Sequence, residues 1–398
     1  MLTPQPGRAE RHTVALLGSL CLFLSAIEYL IPKPLPFMRI GLANLPLLLA
    51  LDILGPTDFF LLALLKVLGQ GIMGGTLFSW VFLFSFAGTF TSAALMYLLR
   101  GSLGKKRIGF AGLGCAGAKA SNGIQLVLAR YLVFGPALRY LAPPFLASGF
   151  VTGIALGLVC EYFCRHSQWY AQHTRYAQHT RYGVNLSRKD LSQRREGAKE
   201  DKKLTHIRPP TLLFYAGLLM ALIFLLGRSL PARAVQFLLF CLFARLLGKK
   251  INPLITITIM AGIVFFNLLA PYGKVLAVLG PLRITQGSLF AGLEKALTLE
   301  GLLMLSRACI RSDLRLPGTI GSLLGESLRI LELMRAKKSL IRRGHIVAGI
   351  DLMMQEVEAV NTAEPTDAPP VKPKRSVKNI VLLGAVVLLT AVIGFWGG

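Results

Sequence analysis

Charged residues are scarce in this 398-residue chain, and acidic residues are the scarcest of them. Asp, Glu, Lys and Arg make up 16% of the sequence, hydrophobic residues make up 54%, and only 19 acidic residues accompany 44 basic ones. Four long stretches contain none of these four charged residues: 67–99, 140–160, 251–273 and 379–398. A helix crosses a bilayer with about 20 mainly apolar residues. The composition therefore excludes a typical soluble protein and predicts an all-α, polytopic membrane bundle of about 10–11 transmembrane helices.

Catalytic motifs are missing as well. The sequence contains no GxxxxGK[ST] phosphate loop, no HExxH motif and no nucleophile elbow. Prenyl diphosphate synthesis needs carboxylate clusters that hold Mg²⁺, yet there is no Asp-Asp pair, and Glu200–Asp201 lies in a charged, polar segment. We therefore expect that the protein is not an enzyme, with no catalytic residue, no metal site and no cofactor of its own.

The excess of basic residues is expected to set the orientation in the membrane rather than to bind nucleic acid. Spans are predicted at about 12–31, 40–55, 58–74, 77–99, 108–133, 143–164, 210–227, 232–247, 252–271, 288–310 and 378–396. With the N-terminus inside, the four densest basic loops all become cytoplasmic, as the positive-inside rule requires. Spans 40–55 and 58–74 are short, so a re-entrant hairpin is an alternative. The expected location is the inner, cytoplasmic membrane.

The chain divides into five predicted parts. Residues 1–166 form a six-helix membrane domain, and 167–208 form a basic disordered cytoplasmic linker that includes the duplicated hexapeptide YAQHTR. Residues 209–360 form a second membrane domain with cytoplasmic amphipathic helices. A Pro-rich linker at 361–376 leads to a final transmembrane helix at 377–398.

Polar residues inside the predicted spans are the candidate ligand-binding groups, because each one costs a few kcal/mol in lipid unless it finds a partner. Lys119, Asn122 and Gln125 follow one another at intervals of three, and Lys66 and Gln70 are four residues apart, so each set is expected to share a helix face. Asn44, within the run MRIGLANLPLLLALDILGP, joins them as a candidate, with Arg39 at the mouth of that run. Bridging between helices is the alternative role.

Two apolar stripes follow the last polar loop of the second domain. They are formed by Ile320, Leu324, Leu328 and Leu331, and by Ile346, Val347, Ile350, Met353, Met354 and Val357. Both have helical spacing and predict amphipathic helices. Such helices lie on the membrane, cradle the first domain or grip a partner ATPase, and the sequence leaves all three open.

Residues 35–164 resemble the Gx transporters, a family also named heptaprenyl diphosphate synthase component I. The resemblance rests on MRIGLANLPLLLALDILGP, on the Gly-rich segment around GQGIMGG and on GAKASNGIQL. Members resemble the substrate-binding S components of energy-coupling-factor (ECF) vitamin transporters. Residues 210–355 resemble the transmembrane T component of the same transporters, through the turn GPLRIT and the long helix after it. The resemblance thus implies a fused, ECF-like transporter.

This resemblance implies a small vitamin- or cofactor-like solute, with a flavin (riboflavin, FMN or FAD) as the first candidate. Asn44, Gln70, Asn122 and Gln125 would supply hydrogen bonds, and Arg39 with Lys66 or Lys119 would meet a phosphate. The implied partners are the lipid bilayer, the solute, and either ECF-type ATPases or flavin-handling membrane redox proteins. In T components an Ala-Arg-Gly motif docks the ATPases, and its nearest equivalent here is Arg342, Arg343 and Gly344. The alternative is a non-catalytic membrane subunit that serves heptaprenyl diphosphate or quinone synthesis.

Overall fold

The computed structural model describes residues 6–30, 41–174, 209–227, 229–249, 251–280, 282–310, 318–341, 346–363 and 377–396. The first group of elements comprises α1 (Pro6–Leu30), a 3₁₀ turn (Leu42–Asn44), α2 (Leu45–Ala50), α3 (Pro56–Gly74), α4 (Trp80–Arg107), α5 (Phe110–Ala129), a π turn (Arg130–Phe134), a 3₁₀ turn (Gly135–Ala137) and α6 (Leu138–His166). A helical segment at 168–174 follows.

The second group comprises α7 (Pro209–Leu226), α8 (Leu230–Leu246), α9 (Pro253–Leu268), β1 (Val275–Leu279), β2 (Leu282–Thr285), α10 (Gln286–Cys309), α11 (Gly318–Ala336), a 3₁₀ turn (Lys338–Leu340), α12 (Ile346–Ala363) and α13 (Val377–Trp396). The two strands form one antiparallel hairpin between α9 and α10. The predicted all-α membrane class is therefore confirmed.

Several helices are apolar and long enough to cross a membrane. In the described part of the chain, four stretches meet that condition: Arg11–Glu28, Pro56–Gly74, Trp80–Gly104 and the 57-residue stretch Phe110–His166, which contains both α5 and α6. Shorter apolar helices occur at Leu212–Leu226, Pro253–Leu268 and Leu383–Gly394. The protein is a multi-pass membrane protein.

Residues 40–55 are predicted as a full span, with a re-entrant hairpin as the alternative, and the α-helix within this run is too short to cross a membrane by itself. α2 has six residues, about 9 Å of helix at 1.5 Å per residue, whereas the hydrocarbon core is about 30 Å thick. Pro46 lies in the first turn of the helix, where a missing N–H costs nothing. α2 is therefore a half-helix buried within the first bundle. α1 and α3 run parallel, because Gly18 lies against Leu62 and Gln70 binds Ser25, so the segment between them returns the chain to the end where α1 begins. α3 is itself long enough to cross a membrane, and the re-entrant hairpin is not supported.

Small residues let α5 and α6 pack in direct backbone contact. A Cβ atom at Gly157 would lie 2.3 Å from the carbonyl oxygen of Phe110, and one at Gly153 would lie 2.7 Å from the carbonyl oxygen of Gly114. Neither distance is physically possible, so only glycine fits. The four-residue spacing in α6 thus serves close helix packing, as in other membrane helix pairs.

α11 and α12 pack most of both apolar stripes against the first bundle, while Ile346 at the start of α12 is exposed. Leu324 and Leu331 of α11, and Met353 and Met354 of α12, lie in one continuous core with α1, α2 and α3. At the polar edge of this contact, His12 Nδ1 of α1 lies 3.2 Å from Glu326 Oε1 of α11. Of the three roles that the sequence left open for these helices, cradling the first domain is the one that the structure shows.

α12 also holds the segment that follows α6. Asp351 accepts hydrogen bonds from the Ser167 hydroxyl and from the backbone N–H of Trp169, the latter at 3.2 Å, and so caps the helical segment 168–174. Trp169 Nε1 donates to Glu358 at 2.7 Å, and His173 lies 3.2 Å from the same carboxylate. Burial works against ionisation of Glu358, but these neighbours outweigh it and hold its pKa below the ordinary value.

We expect Met353→Asp to release α12 from the first bundle. Met353 is fully buried, and an unpaired carboxylate at that position costs several kcal/mol. Limited proteolysis of the full-length protein should cleave α12 about tenfold faster than in the wild type. Leu352→Asp is the matched control, because Leu352 is 51% exposed on the same helix and should change nothing. Equal cleavage of the two variants would contradict the packing described here.

α7, α8, α10 and α13 build a second core. The rings of Phe224 and Phe240 meet edge to face at 5.3 Å, and α13 joins through Leu383 and Val386. Gln236 of α8 donates to the carbonyl oxygen of Thr390 in α13 at 3.0 Å. The final helix is therefore an integral part of this second bundle.

The second bundle attaches to one end of the first. α4 and α5 are antiparallel neighbours, so the turn after α3 and the turn after α5 lie at the same end of the first bundle. At the turn after α5, Val133 packs with Ala296 of α10; at the turn after α3, the N–H of Phe78 donates to Ser306 Oγ of α10 at 3.2 Å. Ala296 and Ser306 are about 15 Å apart along the helix. α10 therefore runs across the end of the first bundle.

Candidate functional site

Six polar side chains from α1, the 3₁₀ turn before α2, α3 and α4 gather inside the first bundle. We call them the Lys66 cluster: Ser25, Glu28, Asn44, Lys66, Gln70 and Thr89. Lys66 is only 4% exposed, and its ammonium group donates to Asn44 Oδ1 and, at 3.3 Å, to Thr89 Oγ1. A buried cation in a membrane bundle is costly and is retained mainly for function.

The backbone before α2 is shaped to bring Asn44 to Lys66. Gly41 has a φ of +84°, a left-handed conformation that favours glycine, and its carbonyl oxygen accepts the N–H of Asn44 at 2.8 Å. The buried Glu28 carboxylate accepts the N–H groups of Gly41 and Leu42 at 3.1 and 2.9 Å. A carboxylate on α1 thus fixes the start of the half-helix that carries Asn44.

Gln70 extends the cluster by one helical turn. It lies four residues after Lys66 on α3, and its Nε2 donates to Ser25 Oγ on α1 at 3.0 Å. The two helices approach closely next to this bond, since a Cβ atom at Gly69 would lie 2.7 Å from the Leu22 side chain. α3 then ends at Gly75, whose left-handed φ of +58° closes the helix in the usual glycine manner.

The second predicted set, on α5, separates from the Lys66 cluster and also spreads around its own helix. Asn122 Nδ2 donates to the carbonyl oxygen of Phe145 in α6 at 3.0 Å, and Gln125 Nε2 donates to Ser121 Oγ beside Gly88 of α4. Lys119 is exposed, with its ammonium 4.9 Å from the centre of the Phe150 ring. Lys119 and Asn122 contact α6, whereas Gln125 lies against α4, so the three side chains do not form one pocket wall.

Four of the predicted functional residues lie outside the described residues. They are Arg39, a candidate ligand-binding residue, and the expected ATPase-docking residues Arg342, Arg343 and Gly344. Their expected roles stay predictions.

Three members of the cluster were missed by sequence reasoning: Ser25, Glu28 and Thr89. Glu28 carried a usable signal, because it is a carboxylate directly after the apolar run 13–27 and three residues after Ser25. Thr89 carried none, because hydroxyl groups are common in membrane helices and bond their own backbone.

The cluster offers one cation, one carboxylate and two amides inside the first bundle. Such a set suits a small polar ligand that is held by several hydrogen bonds. Within the described residues, no group of three or more His, Cys, Asp or Glu is arranged to hold a metal ion.

A buried ion pair lies near the end of the first bundle opposite to the Lys66 cluster. Arg100 donates two parallel hydrogen bonds to Asp52, at 3.0 and 2.7 Å, and a third at 2.8 Å to the carbonyl oxygen of Ile108. The Tyr170 hydroxyl donates to the same carboxylate at 3.1 Å. Asp52 and Arg100 thus tie α2 to α4 and to the segment after α6, which is a structural role.

Comparison with known proteins finds one family model similar to the first bundle and one similar to part of the second. No curated protein and no solved structure matches the chain. Residues 210–312 match a domain of unknown function (DUF8519), so the likeness of this region to a T component stays a prediction. Residues 17–163 match the model described as heptaprenyl diphosphate synthase component I, which covers the whole Lys66 cluster. The first bundle is therefore similar to the heptaprenyl diphosphate synthase component I family over residues 17–163.

Proposed function

We propose that this protein is the membrane component of an ECF-like transporter and that its first bundle binds a small vitamin- or cofactor-like solute. The observation that carries the proposal is the buried Lys66 ammonium, held between Asn44 at the start of a half-helix and Thr89 on α4. Broken helices with polar groups at their ends are a recurrent way to build solute sites at membrane depth.

The chemistry of the cluster supports a flavin as the first candidate solute. The Asn44 and Gln70 amides both donate and accept, which matches the imide edge of the flavin ring. Lys66 matches a ring carbonyl or, in FMN and FAD, a phosphate oxygen. In this proposal the chain contributes binding and positioning and performs no reaction of its own.

The second bundle is proposed to act as a platform. α10 crosses the end of the first bundle that lies closest to the cluster, since Lys66 and Gln70 precede the turn after α3 by two turns and one turn of helix. A shift of α10 therefore acts directly on that end. We place the N-terminus and the basic loops in the cytoplasm, where an ECF-type ATPase would reach α11 and α12.

The alternative rests on the family's own description. A non-catalytic membrane subunit of a heptaprenyl diphosphate synthase would hold a soluble prenyltransferase at the membrane surface. It would copurify with that enzyme and would release an isoprenoid, rather than a flavin, on denaturation.

The test is made on the full-length protein purified in mild detergent. Mass spectrometry of the material released on denaturation, with visible absorbance before it, should reveal a stoichiometric flavin. If none is retained, added riboflavin, FMN and FAD are titrated by fluorescence quenching. If the protein neither releases nor binds riboflavin, FMN or FAD, the flavin proposal is wrong. A released isoprenoid would favour the alternative.

Two asparagine variants locate the site. Asn44→Ala should weaken flavin binding about tenfold, because one hydrogen bond to Lys66 and one polar group of the cluster are lost. Asn122→Ala is the matched control, because Asn122 bonds α6 outside the cluster and should leave the affinity unchanged. The reverse pattern would place the solute against α5 and α6 instead.

A further inference from the structure

Glu300 is a carboxylate of the second bundle that is buried with few polar groups around it. It lies in the middle of α10 and is fully buried. Within the described residues, neither of its oxygens has a hydrogen-bond partner of ordinary length and angle, although the Thr256 hydroxyl of α9 lies near enough to interact with the carboxylate. The adjacent buried residues of α10 include Leu302, Leu303 and Met304, and they are apolar.

The helices packed on α10 bring few charges to this carboxylate. α8 contributes the Cys241 thiol, with Arg245 beside that thiol, and α9 contributes the neutral Thr256 hydroxyl. Arg307 acts on Glu300 from two turns further along α10 itself. α7 contributes the Phe224 ring, which lies against Gly301.

Such an environment disfavours a charged carboxylate. An ionised carboxylate without hydrogen bonds in an apolar interior costs far more than its neutral acid, so the group takes up a proton instead. A metal cation needs several oxygen ligands, whereas a proton needs only one lone pair. A carboxylate kept for packing alone would be expected to have its oxygens bonded.

We propose that Glu300 is a proton-binding site of the second bundle, protonated in the conformation described here and able to release its proton. Carboxylates buried inside the bundles of membrane proteins mark proton pathways in transport proteins. α10 also carries the contacts of Ala296 and Ser306 with the first bundle. A change of charge at Glu300 therefore acts on the helix that holds that bundle. The proposal does not depend on the identity of the solute.

Infrared difference spectroscopy of the full-length protein in lipid nanodiscs tests the site directly. The C=O stretch of a protonated, dehydrated carboxyl should be present near pH 5 and should be lost between about pH 5 and pH 9. It should be absent from Glu300→Gln at every pH, because glutamine keeps the shape and cannot titrate. Glu294→Gln is the matched control on the same helix: Glu294 is exposed, and its removal should leave the band unchanged.

Chemical labelling gives a second, independent measurement. Dicyclohexylcarbodiimide reacts with protonated carboxyls in apolar surroundings, so the peptide that contains Glu300 should be modified at low pH and progressively less as the pH rises. Lack of the infrared band in the wild-type protein would overturn the proposal, as would a band that does not change with pH or one that persists in Glu300→Gln.

Discussion

Replacing Lys66 by methionine is expected to weaken solute binding by about 10- to 100-fold while the protein stays folded. Methionine fills nearly the same volume, but it removes the buried cation and its bonds to Asn44 and Thr89. A hydrogen bond to a charged group contributes about 1.5–3 kcal/mol, which corresponds to this range of affinity. The measurement is a binding titration of the solute that the purified protein releases.

The control for Lys66→Met is another lysine–asparagine pair in the same chain. Lys295 donates to Asn267 Oδ1 at 3.2 Å, between α10 and α9 and away from the cluster. Lys295→Met removes a comparable bond and should leave the affinity unchanged. If Lys66→Met binds normally, Lys66 only ties α3 to α2, and the proposed site is wrong. If the variant does not fold, Thr89→Val removes one acceptor without removing the charge and is titrated instead.

Asp52→Ala is expected to cost about 3–5 kcal/mol of stability, because it leaves the Arg100 guanidinium buried without its carboxylate. The side chains of Asp52 and Arg100 are 5% and 10% exposed, so water cannot replace the lost bonds. The Tyr170 hydroxyl loses its acceptor at the same time. Thermal unfolding of the variant in nanodiscs, at fixed lipid composition, should show a markedly lower midpoint.

The matched control for Asp52→Ala is an exposed ion pair of the same kind. Arg165 and Glu161 lie 2.7 Å apart on α6, with side-chain exposures of 71% and 36%. Glu161→Ala should therefore cost less than about 1 kcal/mol. The double variant Asp52→Leu, Arg100→Met removes both charges and should recover much of the loss. Equal midpoints for Asp52→Ala and Glu161→Ala would show that the Asp52–Arg100 pair is not buried in the folded protein.

The polar residues of the spans show where prediction from sequence succeeds and where it stops. Asn44 and Lys66 stood out because each is costly in lipid without a partner, and the structure joins them directly. The α5 set was placed on one face, but each step of three residues turns the helix by about 60°, so Lys119 and Gln125 point about 120° apart. A spacing of three and then four residues would have placed the three side chains on one face of the helix.

The sequence by itself determined the membrane class, the helices and their apolar faces. Long uncharged runs have no stable state in water, and a helical stripe of apolar residues must be covered by something. The sequence does not show which surface covers the apolar stripe that contains Met353, because a lipid surface, an ATPase groove and another helix would all fit it. The tertiary structure shows that the first bundle covers it. The pairing of Asn44 with Lys66 and the passage of α10 across the first bundle were likewise decided only by the folded chain. Contacts between residues far apart depend on the geometry of the whole bundle, which no local pattern records.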